Sequence, residues 1–223
     1  MNSFFPGVAQ QGPPVNPLSQ PQPRPRWLLV GPALTASLGA FLLTLTTGPE
    51  WTAIRENLAL STSMVLWVFV AYLMPALLAV PVGALVGRRW PTAVTLSAIV
   101  LMVPGSLLIM LTPGAAALLL GRALTGLGAG LAWGVTAALV AQVARVGTYR
   151  WVVALVVGAV VLALLLGPAV AALLARTLTW RTPFLLAVPF GAVAFLVAAV
   201  SGLIALVRRQ PSRPAQPPVA PPG

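Results

Sequence analysis

Three observations predict an all-α integral membrane protein with six transmembrane helices. Of the 223 residues, 59% are hydrophobic and only 7% are charged, whereas a soluble domain carries roughly a quarter charged residues. The apolar residues fall in six Leu/Ala/Val-rich runs, each near the roughly 20 residues that a helix needs to cross a bilayer. They lack the strict alternation of a barrel strand, and in lipid only helices and closed barrels satisfy every backbone polar group. Finally, all thirteen basic residues are Arg, and all except Arg122 lie at or near the ends of those runs. That is the pattern of topology signals. A net charge of +11 therefore implies a lipid bilayer as partner and no nucleic acid, whose binding needs a clustered basic surface.

Residues 1–25 are rich in Pro, Gln and Gly, as in Gln10-Gln11-Gly12-Pro13-Pro14 and Gln20-Pro21-Gln22-Pro23. They hold too little apolar surface to fold and read as a disordered tail. The membrane domain is expected over 26–209. Its first span starts at Trp27, behind Arg24 and Arg26, and reaches about Thr47; a signal peptide would place its apolar stretch nearer the start, so this helix reads as retained. Residues 48–60 contain Gly48-Pro49-Glu50 and Arg55-Glu56-Asn57, a polar break that reads as a loop or interfacial turn.

The second span covers about 61–86 and stops at Gly87-Arg88-Arg89; the third covers 91–111 and ends at Thr112-Pro113-Gly114. A tight turn there predicts that the third and fourth spans are antiparallel neighbours. The fourth covers about 115–144 and is followed by Arg145 and Arg150; the fifth covers 151–175, up to Arg176; the sixth covers 183–207 and closes at Arg208-Arg209. Residues 210–223 are Pro-rich again and read as a second disordered tail. With an even number of spans both ends share a side. That side would hold Arg24, Arg26, Arg88, Arg89, Arg145, Arg150, Arg208, Arg209 and Arg213, against Arg55, Arg176, Arg181 and both Glu residues opposite. The excess places both termini in the cytoplasm and the protein in the cell membrane as a multi-pass chain.

The missing residue types exclude whole chemistries. Without Cys, His or Lys there is no thiolate metal site, no Schiff-base amine and none of the usual general bases. The only carboxylate side chains, Glu50 and Glu56, share one connecting segment. No enzyme activity, metal site or cofactor is expected.

Several motifs carry a family resemblance. Gly83-x-Leu85-x-Gly87-Arg88-Arg89 resembles a shortened form of the loop G-x-L-x-D-R-x-G-R-R between the second and third helices of major facilitator superfamily transporters, with the Asp lost. The same residues also read as a helix stop with a positive-inside anchor. Leu58-x-Leu60-Ser61-Thr62-Ser63, followed by Trp67-Val68-x-x-Ala71-Tyr72-Leu73, resembles the start of the second helix in the fourteen-span drug:proton antiporter branch. Gly121-Arg122 with Gly126, Gly128 and Gly130 is similar to the fourth-helix pattern R-x-x-x-G-x-G. Gly167-Pro168, with Ala154, Ala163, Ala171 and Ala172, is similar to the antiporter signature of the fifth helix with Ala replacing most Gly. Trp180-Arg181-x-Pro183-Phe184 and Val188-Pro189-x-Gly191 resemble the start of its sixth.

The resemblance spans residues 27–207 and implies half of a major facilitator fold, whose members pair two six-helix halves, each an inverted three-plus-three repeat, around a midplane cavity. It implies efflux of a small, drug-like molecule, its identity not readable here, with a second half or another copy of the chain as partner. Arg122, Thr44, Trp133 and Tyr72 are the substrate-cavity candidates, although Arg122 also lies close enough to a helix start to snorkel outward. Gly83, Gly87, Arg88, Arg89, Gly167 and Pro168 are the conformational candidates. They are joined by Gly126, Gly130 and Gly134, which share one helix face and would admit a close neighbour. Glu50 and Glu56 are considered as charge partners for Arg122. Because the acidic position of the family's first helix falls near Leu43, no span carries a titratable acid or His, so proton coupling within this chain is not expected. The alternative is a transporter-derived module that does not transport and serves as an assembly or regulatory partner.

Overall fold

A computed structural model describes residues 26–45, 50–61, 63–143 and 149–207. The proposed tails, Gly48-Pro49, Arg145 and Arg208-Arg209 lie outside the described residues. A 3-10 turn, Arg26–Leu29, leads into α1, Val30–Thr44; α2 is Glu50–Asn57, α3 Met64–Gly87, α4 Pro91–Met110, α5 Ala115–Val143, α6 Tyr149–Thr177, α7 Thr182–Leu185 and α8 Ala187–Val207. Six stretches are long and apolar enough to span a membrane: Trp27–Thr44, Met64–Gly87, Pro91–Met110, Ala115–Gln142, Arg150–Leu174 and Thr182–Val207.

Two elements differ from expectation. The polar stretch expected as a loop or turn contains a two-turn helix, α2. Its Ile54 is buried and Trp51 packs on the core while Arg55, Glu56 and Asn57 face outward. Arg55 in its last turn suits the helix dipole, and Ala59 follows with a positive φ of 49°. The sixth span is interrupted at Leu186. Pro189 has no N–H to offer the Leu185 carbonyl, and the helix resumes as α8 with Phe190 donating to Leu186 O at 3.2 Å.

The turn between α3 and α4 is only three residues, Arg88-Arg89-Trp90. It is pinned by Val86 O, which accepts from the amides of Arg89 and Trp90, both at 3.0 Å. Pro91 then occupies the first position of α4, where its missing donor costs nothing.

The two central spans are α1 and α5, each 61% buried over its apolar window, whereas α6 is 6% buried and lines the perimeter. Helix α5 packs chiefly on α3 and α4, and α1 on α6, α5 and α8; α4 meets α8. Exchanging the first three spans for the last three, in order, turns α3–α5 into α1–α6 and α4–α5 into α1–α8 and returns α1–α5 and α4–α8 to themselves, as an inverted repeat would. The residues themselves do not display one. Helix pairing in lipid depends on close packing rather than on a hydrophobic effect, and glycine supplies it here. A Cβ on Gly126, Gly130 or Gly134 of α5 would run into the α3 backbone at Tyr72, Ala76 and Val80 to Ala84.

Candidate functional site

Arg122 sits on the eighth residue of α5, roughly 10 Å from its start at 1.5 Å per residue. It is 1% exposed, so protein encloses its guanidinium. Its Nη1 donates to Leu42 O at 2.9 Å. That carbonyl is available because α1 ends at Thr44 and leaves its last carbonyls without helical donors. The negative end of the α1 dipole therefore faces the guanidinium. Two aromatic faces complete the setting, with Cζ 5.6 Å from the centre of the Tyr72 ring and 5.7 Å from that of Phe184. Nε and Nη2 are buried with no hydrogen-bond partner among the described residues. Among the described side chains no carboxylate supplies one: Glu56 is exposed on α2, and the Glu50 side chain lies outside the described residues.

Tyr72 and Trp133 continue the same arrangement along α1. The Tyr72 hydroxyl donates to Gly39 O at 2.6 Å, and Trp133 Nε1 donates to Ala36 O at 3.0 Å. Their rings are 6.5 Å apart and tilted by 58°. Ala36, Gly39 and Leu42 are spaced three residues apart and so lie on one face of α1. Three side chains from α3 and α5 thus fasten three successive carbonyls of one central helix. Thr44, the fourth cavity candidate, is itself on α1. Its hydroxyl donates to Phe41 O at 2.8 Å, and it packs against Gly167 of α6, where a Cβ would collide with Thr44 Oγ1.

Helices α2 and α7 roof this end of the bundle. Leu42, Leu45, Ile54, Leu118, Trp180 and Phe184 belong to one buried cluster. Phe184 is held over Arg122 by Ser106 of α4, whose Oγ donates to Phe184 O at 2.7 Å. Arg181 donates to Thr112 O at 3.3 Å and lies 5.0 Å from the Trp180 ring centre, tying α7 to the α4–α5 turn.

Five of the glycines singled out in the sequence are distributed along the α3–α5 seam, whereas Gly167 meets α1. Gly83 faces the Leu131 backbone and Gly87 faces Val135, complementing Gly126, Gly130 and Gly134 from the other helix. Arg88 and Arg89 are exposed at the far end of α3, a full 24-residue helix away from the roof. Pro168 is half-buried within α6. Sequence reasoning missed the role of Phe184, although Pro183-Phe184 was visible as a motif. It also missed the three acceptors, because a backbone carbonyl leaves no mark on residue identity.

A family model described as Major Facilitator Superfamily matches residues 33–222. A protein described as the MFS-type transporter pydD, from Acremonium sp, is 37% identical over 117 residues, which are 52% of this chain and 20% of that protein. The matched part is therefore a fifth of the relative's own length.

Proposed function

The chain belongs to the major facilitator superfamily, and from that membership we propose that it forms one six-helix side of a small-molecule transporter. Its transport path is completed by a second six-helix set, either another copy of the chain or separate spans. The proposed activity is efflux of drug-like compounds across the cell membrane, with both termini cytoplasmic. The observation that carries this reading is the buried Arg122. An ionised side chain within a span is expensive and marks a substrate or ion path by default, and two of its donors are unspent. Tyr72 and Phe184, both buried, and the half-buried Trp133 make the surroundings of Arg122 aromatic, a chemistry that suits a flat apolar ligand. The spans contain no Asp, Glu, His or Lys, so a driving proton has no carrier here; the partner supplies it, or movement follows the substrate gradient.

A second reading, a module that assembles with or regulates another membrane protein without transporting, is favoured by one feature. The donors of Tyr72, Trp133 and Nη1 of Arg122 are spent on α1, an arrangement that holds the central helices together.

The test is the mass of the full chain in mild detergent by light scattering, followed by dye efflux from proteoliposomes with wild type and Arg122→Ala. The transporter reading expects a dimer whose efflux is lost in the variant. A strict monomer with no efflux rules out a second copy of the chain as the other side and leaves either separate spans or the assembly module.

A further inference from the structure

At the opposite end of the bundle from Arg122, a groove of about 490 Å³ opens between the start of α4 and the end of α8. This is within the roughly 300–1,000 Å³ range of ligand sites. Its walls are apolar, with Leu28, Leu96, Leu203 and Leu206 among them, and Arg89 and Trp90 stand at its mouth. Trp90 is 64% exposed and Leu203 63% exposed, so the groove opens on the outer surface of the six-helix bundle and not to its packed interior. Trp90 is the kind of residue that anchors at the headgroup level. From Trp90 to Leu96 the α4 wall descends six residues, roughly 9 Å at the helical rise, which is enough for the upper part of an acyl chain.

The charge at the mouth selects the headgroup. Arg89 is exposed there with Arg88 beside it. The only carboxylate side chains, Glu50 and Glu56, lie beyond the other end of α3, roughly 36 Å away along a 24-residue helix. The first-turn amides of α4 add to the attraction. Thr92 and Ala93 both line the groove, and at a helix start their N–H groups have no helical acceptor; among the described residues no side chain caps α4. An apolar slot at membrane depth beneath a cationic rim matches a phospholipid with a negative headgroup.

We propose that this groove is a binding site for an anionic phospholipid, its phosphate at Arg89 and the start of α4 and one acyl chain against Leu96 and Leu203. The site is independent of the transport reading.

The test is native mass spectrometry of the full chain released from detergent after equilibration with phosphatidylglycerol or phosphatidylcholine of equal chain length. Wild type is expected to retain phosphatidylglycerol preferentially. Arg89→Gln should weaken that retention about fivefold, the contribution of one Arg near a membrane surface, and leave phosphatidylcholine adducts unchanged. Ala199→Phe, which fills the groove, should weaken both; size exclusion establishes that this variant remains monodisperse, and Arg89→Gln alters only an exposed side chain. Arg176→Gln, exposed at the other end of the bundle, should match wild type. Equal retention of phosphatidylglycerol by wild type and Arg89→Gln overturns the proposal. So does an equal loss in Arg176→Gln, which would reduce the effect to overall charge.

Discussion

The guanidinium carbon of Arg122 lies 5.6 Å from the centre of the Tyr72 ring, so among the described residues the one charge buried in the spans is met by a π face and a helix end. A cation over an aromatic ring is worth roughly 0.5–2 kcal/mol, and burying an ion costs several. The site is therefore a net liability to stability that the rest of the bundle offsets.

Replacing Arg122 with Met should leave the fold intact. An apolar side chain of similar volume removes the desolvation cost, and such exchanges are often neutral or stabilising by about 1–4 kcal/mol. Thermal unfolding in mild detergent, followed by Trp fluorescence, is expected to give an unchanged or higher Tm, while dye efflux is lost. A large fall in Tm would show that the guanidinium is chiefly a structural rivet.

Tyr72→Phe and Trp133→Phe each remove one donor from α1 but keep an aromatic ring in place. Hydrogen bonds between membrane helices average about 0.6 kcal/mol, so each variant should lower Tm only slightly. Trp133→Ala also empties the ring's volume and should cost about 3–5 kcal/mol. Comparing the three unfolding midpoints separates tether from packing.

Gly130→Val should be among the most disruptive single changes. Its side chain would meet the Ala76 backbone, which cannot move without parting α3 from α5. Overpacking costs typically about 1–3 kcal/mol, sometimes more. Gly158 on α6 has nothing within 4 Å of a built Cβ. Gly158→Ala should therefore be neutral or stabilising by up to about 1 kcal/mol. Monodispersity on size exclusion reads both.

Gly167 and Thr44 form a pair that can be tested reciprocally. Gly167→Ala alone should lower stability, because the new methyl meets Thr44 Oγ1. Thr44→Ala removes that oxygen, and the double variant should recover most of the loss. A double-mutant cycle on Tm is expected to show coupling of about 0.5–3 kcal/mol; strict additivity would mean that α1 and α6 are not in contact at this point.

Much of the bundle was legible in the sequence, because in lipid the length and polarity of each run are nearly sufficient conditions for a helix. The breaks were less so. Glu50-Trp51 and Arg55-Glu56 looked like a polar interruption, and only the packing of Ile54 beneath them turned that segment into a helix. Pro183 and Pro189 entered the sequence reading only as parts of a motif, and neither disclosed that α7 would fold over Arg122. The glycines at 126, 130 and 134 disclosed a shared face, but the identity of the helix against it is a property of the assembled chain.

The sequence alone determined six apolar helices, their Arg-rich ends, the absence of His, Cys and Lys chemistry, and a single charge in the fourth span. These follow from local composition, since the bilayer judges each segment by itself. Only the tertiary structure decided that Arg122 turns inward to Leu42 O, that Tyr72 and Trp133 fasten the same face of α1, and that a groove opens between α4 and α8 under Arg89. Each of these joins residues from separate helices, and their neighbours are chosen by how backbones approach, which no local stretch of the chain encodes.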